Sequence, residues 1–299
     1  MINVRSDFFK GFFWSLAGTI VVSTNFVTAK YGLEGFNVET FSLVWTSAAA
    51  VYSLFIVLAM GYREQLALPG YTISKIVLLG LVTGAGMLLF WAGLAQLDPL
   101  FAAFISRFTP ILTILLSAVF LGERLMVREL SPAVLMVLGS LLSAIGQWHI
   151  VGIGMILILL SCCSGAIQNL MAKMVVNAVH PNVLVFYRVG IGALVIALWT
   201  LSVGKANFDV QLPYWSATLL GAFLGPCASH LLTYRAFRYW GLSRATLVMT
   251  VQPLFILPMA YLAFGKLPTQ KELLGGFMIL AGAFWFTWIH FMKGTQLRT

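Results

Sequence analysis

The feature that most limits what this chain can fold into is a succession of ten apolar runs, each close to bilayer-crossing length. A hydrocarbon core of roughly 30 Å takes about 20 helical residues to cross. The first five runs lie at 8–28, 40–61, 74–97, 99–120 and 132–148. The second five lie at 152–176, 181–203, 213–234, 242–264 and 273–291. Only 9% of the 299 residues are charged, against about a quarter in soluble chains. Such a surface cannot be covered by polar groups, so lipid must cover it, and an all-α integral membrane protein is expected. Asp98-Pro99, Ser131-Pro132 and His180-Pro181 mark helix starts, because proline at the first position lacks only a donor that would be unpaired there.

The net charge of +9 follows the membrane pattern, with cations placed singly between apolar runs. A nucleic-acid reader would group them on one basic face with interleaved aromatics, so none is expected as a partner. With ten spans both termini share a side, and that side carries Arg5, Lys10, Arg63, Lys75, Arg124, Arg128, Lys173, Arg235, Arg238, Arg244, Lys293 and Arg298. The other side has Lys30, Lys205, Lys266 and Lys271. Cations stay in the cytoplasm, so both termini are expected there, in a multi-pass inner-membrane protein. The first run is too long for a signal peptide and has a counterpart later, so it is read as a span of the mature protein.

The counterpart belongs to an internal repeat. Thr28-Ala29-Lys30 matches Met171-Ala172-Lys173 at a shift of 143, as do Pro110 with Gly122-Glu123 against Pro253 with Gly265-Lys266, and Gly139 against Gly282. In the third run, Leu79-Gly80 and Gly84 match Leu220-Gly221 and Gly225 at a shift of 141. A two-residue gap between the third and fourth helices reconciles the two shifts. Two repeats, 8–148 and 152–291, therefore hold five helices each. An odd number sends the second copy in from the opposite face, an inverted pair suited to alternating access around a central cavity.

The strings FAAFISRFTPILTILLSAVFLGERL (101–125) and RATLVMTVQPLFILPMAYLAFGKLP (244–268) resemble the fourth-helix signature of the EamA repeat, and YRAFRYWGLSRA (234–245) resembles its link between third and fourth helices. The resemblance implies the ten-helix drug/metabolite transporter superfamily. The pattern is most similar to bacterial YddG-type exporters of aromatic and other amino acids. It also implies a cavity lined by helices one, three, four, six, eight and nine. Gly265-Lys266 departs from the Gly-Glu of the motif, which is expected to alter a loop contact rather than transport.

Ionisable groups inside a span are costly in lipid and mark cavities or partners. Arg107, Arg188 and His230 are of this kind. Either arginine suits a bidentate contact with a substrate carboxylate, the alternatives being a structural pair, snorkelling or a gate contact. Lys30 and Lys173 sit at repeat-related helix ends and read as gate or helix-end groups. Asn25 and Gln168, repeat-related, and Asn169, Tyr187, Tyr234 and Gln252 supply neutral polar groups. Hydrogen bonding between helices is their commoner use, yet two equivalent amides facing one cavity suit a zwitterion. Trp14, Trp45 and Trp91 lie deep enough for a cavity wall, which favours a flat apolar side chain. Pro110, Pro226, Pro253 and Pro258 lie inside spans and read as hinges or static kinks. Gly80/Gly84 and Gly221/Gly225 read as close-packing faces.

No carboxylate lies inside a span, so an uncoupled facilitator or exchanger is expected rather than a proton- or sodium-driven carrier. No P-loop string, zinc-ligand spacing or catalytic constellation is present, so neither cofactor, metal nor enzymatic activity is expected. The expected function is export of small amphipathic metabolites, above all aromatic or apolar amino acids, by a monomer. The alternatives are a nucleotide-sugar, organic-phosphate or multidrug carrier and, more remotely, a lipid-modifying membrane enzyme.

Overall fold

Where backbone polar groups cannot reach water they must be satisfied within the chain, and here helices do this throughout. The computed structural model describes residues 4–121, 130–144, 148–240, 245, 248–249, 251–265 and 269–296, and no strand occurs among them. Among the described residues, five helices are long and apolar enough to cross a membrane. They belong to α1 (Val4–Gly35), α2 (Val38–Ala59), α3 (Gly70–Gln96), α7 (Trp148–Val175) and α8 (Pro181–Val203). Exposed apolar side chains stud their outer faces, as at Phe55 (69%), Leu198 (71%) and Leu201 (72%), which suits lipid as the surrounding medium. Caps begin α2 and α8 at repeat-related positions: Asn37 accepts from the Thr40 amide (2.8 Å) and His180 from the Asn182 amide (3.3 Å).

Three of the other apolar runs are not continuous α-helices. The fourth comprises α4 (Pro99–Ile105), a break at Ser106–Arg107, and α5 (Phe108–Leu121), with α6 (Leu130–Ala144) following. The described part of the ninth starts afresh as α11 (Gln252–Phe264) after a turn at Val251. Pro110 and Pro253 are thus not kinks within uninterrupted helices. Each falls in the first turn of a half-helix, where the missing donor costs no intrahelical bond. Pro258 does lie inside α11. The eighth span runs as α9 (Leu212–Ala222), a π-helical stretch from Phe223 to Ser229, and α10 (His230–Tyr239). Pro226 sits inside the π stretch. The chain ends in α12 (Gln270–Gln296). Residues 122–129 and 266–268, where the Gly-Glu-Arg motif and the Lys266 departure fall, lie outside the described residues.

Two lysines dock these helices in the same way. Lys30 Nζ donates to the carbonyls of Leu94 (3.0 Å), Ala95 (3.0 Å) and Leu97 (2.9 Å) at the end of α3. Lys173 Nζ donates to those of Phe237 (2.7 Å) and Trp240 (3.1 Å) at the end of α10. A cation among unsatisfied C-terminal carbonyls is favourable. Leu94 and Leu97 map onto Phe237 and Trp240 at the 143 shift, whereas the glycines upstream map at 141. The two extra residues therefore lie inside the eighth span, between Gly225 and Phe237, not in the link after it. The π stretch sits there, and its wider i→i+5 turns accommodate added residues without moving the helix end.

The halves pack on each other in matched pairs: α3 lies against α7 and α8, α1 against α9 and α10, α2 against α8, and α6 against α12. Gly84 permits the close approach of α3 to α8, since a Cβ there would lie 2.8 Å from the Gly192 carbonyl oxygen.

Candidate functional site

Between these pairs lies a cavity of about 220 Å³. Asn25 and Phe26 reach it from α1, Met87, Phe90 and Trp91 from α3, and Ser161, Gln168 and Asn169 from α7. His230 and Tyr234 line it from α10, while the two helix breaks add Arg107, Thr109, Met249 and Gln252. These are the spans the resemblance implied. Arg188, from the seventh span, is an addition to them.

The helix breaks explain Arg107. Interrupting a helix in lipid frees carbonyls that need donors. Arg107 is 4% exposed, and its Nε donates to the Ala103 carbonyl at the end of its own half-helix (3.1 Å). Its two terminal nitrogens donate across the interface, to the Met249 carbonyl and the Gln252 side-chain oxygen. Every guanidinium nitrogen has a partner, so Arg107 cross-braces the broken fourth and ninth spans.

Arg188 differs. It too is 4% exposed, but its Nε (3.2 Å) and Nη2 (2.9 Å) both donate to one atom, Gln168 Oε1. Its Nη1 is buried without a partner among the described residues. A chain of bonds fixes the Gln168 amide: Nε2 donates to Ser164 Oγ (3.0 Å), whose hydroxyl donates to the Val82 carbonyl of α3 (2.7 Å). Two further buried polar atoms of the lining lack a partner among the described residues, Asn25 Oδ1, beside the Gly225 backbone, and Trp91 Nε1. Asn169 Nδ2 donates to Thr113 Oγ1 (3.3 Å). His230 Nδ1 lies 3.2 Å from Ser229 Oγ, and its ring stands edge-on to Tyr234 with centroids 5.8 Å apart.

Three candidates do not line the cavity. Trp45 is fully buried behind Trp91, with ring centroids 5.0 Å apart, and also packs on Phe41. Tyr187 donates its hydroxyl to the Leu66 carbonyl (2.8 Å). Trp14 lies under the Arg235 guanidinium, 5.1 Å from ring centroid to carbon. Lys30 and Lys173 occupy the helix-end sockets rather than the cavity. Sequence reasoning missed Phe26, Met87 and Phe90 in the lining, and Ser164, which holds the Gln168 amide. Of these only Ser164 carried a signal, its four-residue spacing from Gln168.

A model of the EamA-like transporter family matches residues 9–145 and again 152–288. An uncharacterized transporter of Archaeoglobus fulgidus is 26% identical over 215 residues, which span 72% of this chain and 75% of that protein. An uncharacterized transporter in the cobO 3' region of Sinorhizobium sp is 27% identical over 134 residues, 44% of this chain and 95% of that protein. A protein of known crystal structure shares the fold with a TM-score of 0.67 at 16% identity, covering 95% of this chain and 97% of that one. With both matched segments together spanning nearly all of the sequence, this membrane protein belongs to the EamA-like transporter family.

Proposed function

We propose that this transporter exports small zwitterionic metabolites, foremost amino acids with aromatic or apolar side chains, by alternating access between two inverted halves of five spans each. The cavity carries the reading. Its lining residues include two arginines and no carboxylate, with an apolar wall of Phe26, Phe90 and Trp91. A flat apolar side chain fits such a wall and a carboxylate fits such cations. The volume of about 220 Å³ lies below the roughly 300–1,000 Å³ common for drug-sized ligands, which favours an occupant of amino-acid size over a nucleotide sugar. A diphosphate would also call for several free cations, and Arg107 is committed to the helix breaks.

The matched helix pairs and the two lysine sockets support the inverted arrangement. In it the broken fourth, eighth and ninth spans each count as one crossing, ten in all, with both termini in the cytoplasm. The absence of a carboxylate among the lining residues supports uncoupled transport.

The test is uptake of a mixed metabolite panel into proteoliposomes, with and without a proton gradient. Amino-acid flux insensitive to the gradient is expected. Flux confined to sugar phosphates would overturn the substrate class, and strong stimulation by the gradient would overturn the uncoupled mechanism. For orientation, cysteines replacing Lys30 and Lys173 should label from opposite faces of the membrane, and labelling from one face would remove the inversion.

A further inference from the structure

The two cavity arginines do not have equal capacity to bind a ligand, and the difference assigns the subsites. Arg107 donates from all three nitrogens to protein acceptors, three of its five N–H groups, and so is held in place by both helix breaks. Arg188 spends two nitrogens on a single oxygen and keeps Nη1 desolvated and unpaired. A buried charged donor left without an acceptor is costly, so such a group is normally held for a ligand or water.

The repeat sharpens the assignment. At the 143 shift Gln168 corresponds to Asn25, and Arg188 corresponds to Trp45. The second half thus contributes a cation with an open donor. The first half contributes a neutral amide with an open acceptor, Asn25 Oδ1, beside an uncharged aromatic position. One open donor on a cation, Arg188 Nη1, and one open acceptor, Asn25 Oδ1, contributed to one cavity by the two halves, complement a carboxylate and an ammonium on the same small molecule.

We propose that Arg188 Nη1 is the carboxylate subsite, that Asn25 Oδ1 accepts from the ammonium, and that Gln168 is a positioning residue. The proposal rests on the transport reading above for its biological meaning, but binding alone tests it. Gln168 acts by orientation. Its Nε2 is tied through Ser164 to the α3 backbone, so its oxygen must face Arg188, and it holds the guanidinium by Nε and Nη2, leaving Nη1 unpaired.

The experiment measures ligand-induced thermal stabilisation of the full-length purified chain, since a ligand binding only the folded state raises the melting temperature with concentration. The probes are L-phenylalanine, 3-phenylpropionate, which lacks the ammonium, and phenethylamine, which lacks the carboxylate. Arg188→Gln is expected to weaken phenylalanine and phenylpropionate by about 10- to 100-fold, the range for a lost charge-assisted hydrogen bond, and to leave phenethylamine unchanged. Asn25→Leu should do the converse, weakening phenylalanine and phenethylamine while sparing phenylpropionate. Gln168→Ala should raise the KM for phenylalanine flux about tenfold at an unchanged maximal rate, an effect absent for phenethylamine; a merely structural role would lower both substrates together. This variant also serves if Arg188→Gln does not fold.

Equal wild-type affinity for phenylalanine and phenethylamine, or phenylalanine binding indifferent to Arg188→Gln, overturns the subsite even where amino-acid flux is intact. Carboxylate-selective binding without amino-acid flux in liposomes upholds the subsite and removes the export reading instead.

Discussion

The pair Asn25 and Trp45 in the first half and the pair Gln168 and Arg188 in the second occupy the same places in the repeat, yet they do different work. Asn25 and Gln168 both line the cavity. Trp45, fully buried, fills the space behind Trp91, whereas Arg188 reaches the cavity and hydrogen-bonds Gln168. The shared scaffold around them holds to the repeat, down to helix caps at Asn37 and His180 and lysine sockets at the ends of α3 and α10. The repeat therefore preserves how helices dock and lets the cavity diverge, so that at one pair of equivalent positions the first half has a buried tryptophan and the second a cavity arginine.

If that division is right, the same repeat position should control stability in one half and ligand selectivity in the other. Trp45→Ala should produce the largest loss of stability, about 3–5 kcal/mol as for other buried tryptophans, read by thermal or denaturant unfolding in detergent. Trp45→Phe, which keeps the aromatic contact with Phe41 and Trp91, should transport at near wild-type rate once folded. A folded Trp45→Phe protein without flux would place Trp45 in the pathway and dissolve the contrast with Arg188.

The lysine sockets probe the conserved side of the comparison. Lys30 holds three carbonyls and Lys173 two, so Lys30→Met should cost more, about 2 kcal/mol against about 1 kcal/mol, for charge-assisted bonds at helix C-termini. Unfolding of the two variants side by side gives the ranking, and the reverse order would mean that docking is not shared as the distances indicate.

Much of this was legible before any coordinates. The repeat shows in sequence because glycines, prolines and lysines at the same spacing are rare in apolar helices. Polar in-span residues such as Arg107, Arg188 and Gln168 announce the cavity because lipid penalises them elsewhere. What stayed hidden was hidden for physical reasons. The apolar run continues on both sides of Ser106–Arg107, so the fourth run reads as one helix although its i→i−4 hydrogen bonds give way to i→i−3 bonds there. Trp45 and Trp91 are equally apolar and equally central in sequence, and only packing decides which faces the cavity. Which arginine has a protein acceptor for every nitrogen depends on acceptors 142 and 145 residues away, beyond any local pattern.

The π stretch offers the finest test, because two causes for it are superimposed. Pro226 lacks a backbone donor and would clash within a regular α-helix, so it alone could impose the wider winding. The two residues that the second half has in excess of the first give a different cause, since the span must fit them between Gly225 and a helix end fixed by Lys173. The second cause has the stronger geometry: α3 makes the same docking without the extra residues and stays α-helical throughout. Pro226→Ala is therefore expected to keep the π winding and change stability by less than about 1 kcal/mol, within the range of mild substitutions. Deleting Cys227 and Ala228 in that background should convert the stretch to α-helix while Lys173 still reaches its carbonyls. Amide hydrogen exchange from 223 to 237 reads both outcomes. Conversion by Pro226→Ala alone would return the π stretch to the proline and leave the two extra residues to be absorbed elsewhere in the span.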